Sequence, residues 1–158
     1  MTGDIWNGLE KLSTAHLYDV MMQKGVRDRL LLPDLRPVLP FRKMIGTAVT
    51  MRWIEAEQTE LTELERACQY ALGVERPVCV LECHGPRHAP VGSWIGGTLR
   101  IHGFVGAVVD GTVRDSNDLY EMGFQTYGRL LFPQNQGCFR WEWRNEPVTV
   151  GGGDNPAR

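Results

Sequence analysis

The residues best suited to chemistry fall in two short stretches. In Gly92-Ser93-Trp94-Ile95, a glycine admits a ligand close to the backbone just ahead of a segment with helical apolar spacing. The first amides of such a helix have no intrahelical partners, so this stretch suits a carboxylate. Ser93 has a simpler role open to it as well, that of capping its own helix. The second stretch is Arg114-Asp115, after an apolar run. Arginine is a fixed cation that grips a carboxylate or a developing enolate oxygen, and aspartate is a hard oxygen ligand for Mg²⁺, directly or through water. Together they would polarise a 2-oxo acid. An ordinary loop ion pair is the alternative, as is Asp115 capping the next helix with Asp118 favouring its start.

Other combinations carry less. Cys79, Cys83, His84 and His88 form C-x3-C-H-x3-H, which is not a structural-zinc spacing, and no second ligand pair follows. Thiols packed as small apolar groups fit better. All four cysteines, Cys68, Cys79, Cys83 and Cys138, fall in segments that read as core helix or strand, which implies a reduced, cytoplasmic chain. His84, Arg87 and His88 precede the 92–95 stretch, either within reach of a ligand or simply exposed. Gly92 and Gly96 match no Walker or dinucleotide fingerprint, and there is no G-x-S-x-G elbow. Asp118 and Glu121 share a helical face, by default a solvated one. Trp94, Phe139, Trp141 and Trp143 suit either an interface or a core.

These residues need a scaffold, and 158 residues at 42% apolar and 23% charged suffice for one domain, residues 1–158. A net charge of -2 with no basic run argues against nucleic-acid binding by phosphate neutralisation. The apolar run from Phe104 to Val109 falls far short of the roughly 20 residues that cross a bilayer, and Met-Thr-Gly-Asp does not read as a secretion signal.

Apolar spacing over 5–24 predicts two short helices, with Ser13-Thr14 capping the second and Gly25 ending it. Pro33, Pro37 and Pro40 make 26–42 a loop. A strand over 45–55 precedes a helix over 59–72, whose inner face is Leu61, Leu64, Ala67, Cys68 and Ala71. A nearly continuous apolar strand at 77–82 leads to a helix from Ser93, with Ile95, Leu99 and Ile101 inward and Gly103 as the stop. Then come a buried strand at 104–110, a turn at 111–115, a helix at 116–122 and a strand at 124–128. Residues 139–143 read as an edge strand, 147–150 as a brief extended segment, and 151–158 as a frayed tail. This rhythm is that of parallel βαβ crossovers, an α/β fold that gathers ligands at the strand C-termini.

The segment from Val91 to Asn135 resembles the family that contains the regulator of ribonuclease activity A and the class II 4-hydroxy-4-methyl-2-oxoglutarate aldolases. The likeness lies in the glycine at the helix start, in G-x-x-G-x-V-x-D-G from Gly103 to Gly111, and in Arg114-Asp115. LSTAHLYDVM at 12–21 and IGTAVTM at 45–51 are similar to the family's N-terminal helix and first strand. The resemblance implies a swivelling β/β/α sandwich assembled as a homotrimer or hexamer, with active sites between neighbouring subunits. It places a pyruvate carboxylate on the backbone amides of Gly92, Ser93, Trp94 and Ile95, Arg114 on the oxo acid, and Asp115 on Mg²⁺ or Mn²⁺, largely through water.

It further implies aldol cleavage or oxaloacetate decarboxylation through a pyruvate enolate, with no Schiff base and so no lysine nucleophile. The family's aldolases carry an acid where this chain has Ser93, which weighs against aldol cleavage more than against decarboxylation. A binding protein that regulates a ribonuclease or another partner by docking is the alternative. No glycine-rich S-adenosylmethionine loop follows an early strand, so the methyltransferase label attached to some relatives gains no support. Past PVTVGG the family usually continues through a Pro-Gly-Asp turn and further elements, whereas this sequence ends in GDNPAR, so a shortened C-terminus is expected.

Overall fold

A computed structural model describes residues 2–27, 29–31, 34–38, 40, 42–83, 89–133 and 138–151, in two units, 1–30 and 31–158. The first unit holds α1 (Thr2–Glu10) and α2 (Thr14–Gln23). Ser13 caps α2 as the sequence suggests. Its Oγ accepts the His16 N–H at 3.2 Å, while His16 Nδ1 accepts the Ser13 N–H at 3.4 Å, a reciprocal capping box. Past α2 the chain turns through Gly25 at φ +71°, a conformation open to glycine at no steric cost.

The second unit runs β1 (Arg36–Pro37), β2 (Thr47–Ala56), α3 (Thr62–Ala71), β3 (Pro77–Cys83), α4 (Ser93–Ile101), β4 (Gly106–Val109) and β5 (Thr112–Val113). It continues with α5 (Ser116–Met122), β6 (Gln125–Gly128), β7 (Leu130–Leu131) and β8 (Cys138–Trp143). Six strands form one sheet in the order β1-β6-β4-β3-β2-β8, parallel through β6-β4-β3-β2 and antiparallel at both edges. β5 and β7 form a second, two-stranded parallel sheet. β3 is central, and its side chains are buried or half-buried on both faces, which is why its sequence is nearly continuously apolar rather than alternating. β2 alternates in burial from Val49 to Trp53.

α3 packs on β8 and turns Leu64, Ala67, Cys68 and Ala71 inward. α4 lies on β4 and against α5, with Ile95 and Leu99 buried. The core they close includes Met51, Leu81, Leu119, Phe124 and Trp141, all fully buried. The aromatics of β8 mostly join it: Phe139 sits 4.4 Å from the Trp53 ring, and Trp143 packs 5.2 Å from Tyr70. Trp94, by contrast, is 61% exposed.

Several expectations are corrected. Ile101 is 84% exposed, because it lies two residues, roughly 200°, round the helix from the fully buried Leu99. The 111–115 turn contains β5, and β7 was not foreseen; two-residue strands are too short to show a period. The 26–42 loop contains β1, whose Pro37 sits on a sheet edge, where a missing N–H is tolerated. Residues 147–150 form no strand. Cys138 is exposed at the first residue of β8, unlike the other three cysteines. Gly151 is buried and donates its N–H to Asp110 Oδ2 at 3.2 Å, so it is not part of a frayed tail; 152–158 lie outside the described residues. Among the described residues, no helix is long and apolar enough to cross a membrane.

Leu99→Ala is expected to cost about 2–5 kcal/mol in denaturant unfolding. Ile101→Ala should stay within about 0.5 kcal/mol of the parent, as an exposed site allows. Burial pushes the Cys68 thiol up to about 11, with Glu65 adding to the rise, and it raises Cys79 and Cys83 as well. Alkylation of the folded protein at about pH 8 should therefore label Cys138 alone, read by peptide mass spectrometry, and reach the other three only after denaturation.

Candidate functional site

Parallel strands deliver the two stretches to the same place. Past β3, Val91 bridges Val113 of β5, and the Arg114 N–H donates to Val91 O at 3.0 Å. That bond sets Arg114-Asp115 beside Gly92-Ser93. Gly92 is extended at φ -141° and stands ahead of α4, its carbonyl accepting the Gly96 N–H at 2.8 Å.

Asp115 occupies the N-cap position of α5 in a left-handed conformation, φ 54° and ψ 42°, yet its side chain makes no bond to that helix. The carboxylate crosses to α4 instead. Oδ2 accepts the Ser93 N–H at 3.0 Å and the Ser93 Oγ hydroxyl at 3.0 Å. The capping reading of both residues is thereby revised: Asp115 caps the neighbouring helix, and Ser93 clamps Asp115 rather than capping α4. Arg114 Nε stands 3.7 Å from the same Oδ2; it is buried and makes no hydrogen bond. Gly92 is what allows this approach. A Cβ there would lie 2.6 Å from Asp115 Oδ2 and 2.7 Å from Arg114 Cγ.

Ser93, Trp94 and Ile95 form the first turn of α4, so their N–H groups have no carbonyl within the helix. Asp115 takes the first, which leaves those of Trp94 and Ile95 without a hydrogen bond among the described residues. All six residues singled out in the sequence thus come together, although the Ile95 side chain turns into the core. Gly92, Trp94, Ile95 and Arg114 border an open cleft of about 120 Å³, which Thr59, Leu61 and Phe139 also line. The sequence carried no signal for these three, since the pairing of β8 with β2 is what places Phe139 there.

The other candidates separate from the site. His84, Arg87 and His88 lie outside the described residues, while Cys79 and Cys83 are buried. Among the described residues, no three His, Cys, Asp or Glu side chains cluster as a metal cage would require. An ion held mainly through water and substrate oxygens needs only one or two carboxylates, and Asp115, with one oxygen outside the Ser93 clamp, fits that looser demand. Gly96 serves packing: a Cβ there would meet Leu119 Cδ2 at 2.5 Å. Asp118 and Glu121 are exposed. Asp110, also in the motif, is structural. It pairs with Arg129, which binds Asp34 too, and burial raises its carboxyl above the ordinary value while the Gly151 N–H pulls it down.

The class is therefore that of mixed α/β proteins whose parallel strands deliver these loops to one end of the sheet. Residues 14–154 match the RraA-like family (Aldolase/RraA), and the chain belongs to it. Its fold is similar to that of RraAS2 from Streptomyces coelicolor, an unusual member of the RNase ES inhibitor RraA protein family, at 22% identity over 96% of this chain and 76% of that one, with a TM-score of 0.78. An uncharacterized protein from Pseudomonas syringae pv. tomato is 19% identical over 95% of this chain and 67% of that one, with a TM-score of 0.73. The RNA-processing inhibitor RraA from Thermus thermophilis is 19% identical over 77% and 70%, with a TM-score of 0.56. No curated protein matches the chain in sequence.

Gly92→Ala is expected to cost about 1–3 kcal/mol in denaturant unfolding, because the new methyl group displaces Asp115 or Arg114. Gly97→Ala in the same helix, where a Cβ would meet only Met122 Sδ at 3.6 Å, should instead stabilise by up to about 1 kcal/mol.

Proposed function

We propose that this protein is a divalent-metal-dependent lyase that acts on small 2-oxo acids, of the 4-hydroxy-4-methyl-2-oxoglutarate aldolase or oxaloacetate decarboxylase type, and works through a pyruvate enolate. The observation that carries this reading is Arg114: among the described residues its buried Nε has no hydrogen-bond partner, and it stands 3.7 Å from the carboxylate clamped at the start of α4. The Trp94 and Ile95 N–H groups receive the substrate carboxylate. The Arg114 guanidinium stabilises the charge that develops on the 2-oxo oxygen as the carbon-carbon bond breaks. In oxaloacetate the C3–C4 bond breaks, CO₂ leaves, the electron pair becomes the enolate, and a proton from solvent returns to C3. Mg²⁺ or Mn²⁺, held by Asp115 largely through water, would supply Lewis acidity to the same oxygen. Assembly as a homotrimer or hexamer, with pockets completed at subunit boundaries, belongs to this reading.

One observation favours a second reading. Ser93 spends its hydroxyl on Asp115 where the family's aldolases carry an acid, the Thermus protein is an RNA-processing inhibitor, and RraAS2 is an unusual member of an RNase ES inhibitor family. A non-catalytic protein that docks on a ribonuclease or another partner would use the same clamp only for structure.

With oxaloacetate and Mg²⁺, pyruvate should form faster than Mg²⁺ alone produces it, and a chelator should remove the excess. Arg114→Ala is expected to lower the enzymatic rate about 100-fold or more, and Asp115→Ala to lower it too. A rate no higher than the metal background, or one that neither substitution changes, overturns the lyase reading in favour of docking.

A further inference from the structure

Trp94 stands apart from the other indoles of the chain. Trp53 and Trp141 are buried, Trp143 packs on Tyr70 and Trp6 is half-buried, whereas Trp94 is 61% exposed among the residues that line the Arg114 cleft. The packing of α4 is what turns it out. Gly96 faces Leu119 of α5, and Trp94 lies two residues, roughly 200°, round the helix from it. An indole left in water forgoes the gain that burial of so large an apolar side chain brings.

The place of Trp94 in the helix decides where that side chain lies. It is the second residue of α4, and the Cα–Cβ bonds of a helix tilt towards its N-terminus, the direction in which the first-turn amides also point. An anion seated on those amides therefore has the residue 94 side chain as a neighbour. The backbone beneath the indole is held, since the Thr98 hydroxyl donates to the Trp94 carbonyl at 2.9 Å. An indole suits an anion, to which it offers an N–H and the positive rim of its ring. It also excludes water, and the attraction between the Arg114 guanidinium and an oxyanion grows as the local dielectric falls.

Resting on the 2-oxo acid reading above, we infer that Trp94 binds the ligand through its side chain as well as its backbone: the indole covers the oxo acid held by Arg114 and the α4 amides, and takes that anion out of water.

Pyruvate, titrated in Mg²⁺ and followed by calorimetry and by tryptophan emission, tests this. The difference between the parent and Trp94→Phe isolates the Trp94 emission, which should start at the red wavelengths of an exposed indole and move to the blue as pyruvate saturates. Trp94→Ala should weaken pyruvate binding about tenfold while its thermal melt stays that of the parent. Trp94→Phe, which keeps a ring, should weaken it by no more than about threefold. Trp94 emission that is already blue before pyruvate is added means that another copy of the chain covers the indole, and overturns the inference. So does pyruvate binding that leaves the Trp94 emission unmoved, or that Trp94→Ala does not weaken; these results spare the 2-oxo acid reading. Absence of pyruvate binding to the parent protein overturns both.

Discussion

The arrangement of the site depends on one carboxylate that leaves its own helix. Asp115 is placed to cap α5, but its Oδ2 bonds Ser93 at the start of α4. A negative charge at a helix N-terminus meets the positive end of the backbone dipole and an amide that would otherwise lack a partner. To reach it, Asp115 adopts a left-handed backbone that a non-glycine residue pays for in steric strain, and Gly92 gives up a side chain altogether. Two local costs are thus accepted for one charge-assisted contact between segments far apart in the sequence, and that contact fixes where Arg114 stands.

The parallel sheet makes this contact possible. β3 and β4 run side by side, so the segments that follow them emerge at the same edge, and the Val91–Val113 bridge then sets them in register. The N-cap Gly92 and Gly96 of α4 act along one seam. Gly92 admits Asp115 and Arg114, and one turn later Gly96 admits Leu119 of α5. The spacing of these glycines, which matches no phosphate-loop fingerprint, reflects the close packing of one helix against the start and body of the next. Chemistry and packing therefore share residues here, and a larger side chain at either position would disturb both.

What the sequence could reveal followed from the length of each pattern. α5 appears over 116–122, the range its spacing indicates, and α3 and β3 announce themselves by helical spacing and by an unbroken apolar run. β5 and β7 have two residues each and carry no period, and the inward reading of Ile101 failed because apolar character alone does not say which side of a helix a residue occupies. At the site, the residue types were legible and their bonding was not. Ser93 and Asp115 each had an ordinary cap to make, and the left-handed Asp115 bonds across to Ser93 instead. Phe139 and Leu61 were beyond reach of any motif, since the antiparallel β2–β8 register brings Phe139 to the cleft and the start of α3 brings Leu61.

The arginines of the second unit show how unusual the position of Arg114 is. Arg129 is held by Asp110 and Asp34, and Arg52 reaches Glu82 at 2.8 Å and the Pro147 carbonyl at 3.2 Å. Each answers its desolvation with acceptors in the chain. Among the described residues, the carboxylate nearest Arg114 is Asp115, 3.7 Å from Nε and already bonded twice by Ser93, while that Nε is shielded from water. A buried N–H without an acceptor costs on the order of 1–3 kcal/mol, more when it carries charge. Asp115 cannot turn to relieve it without abandoning Ser93 and uncapping α4. Among the described residues no acceptor reaches that Nε, and under the proposed function an oxyanion held also by the first-turn amides of α4 would supply one.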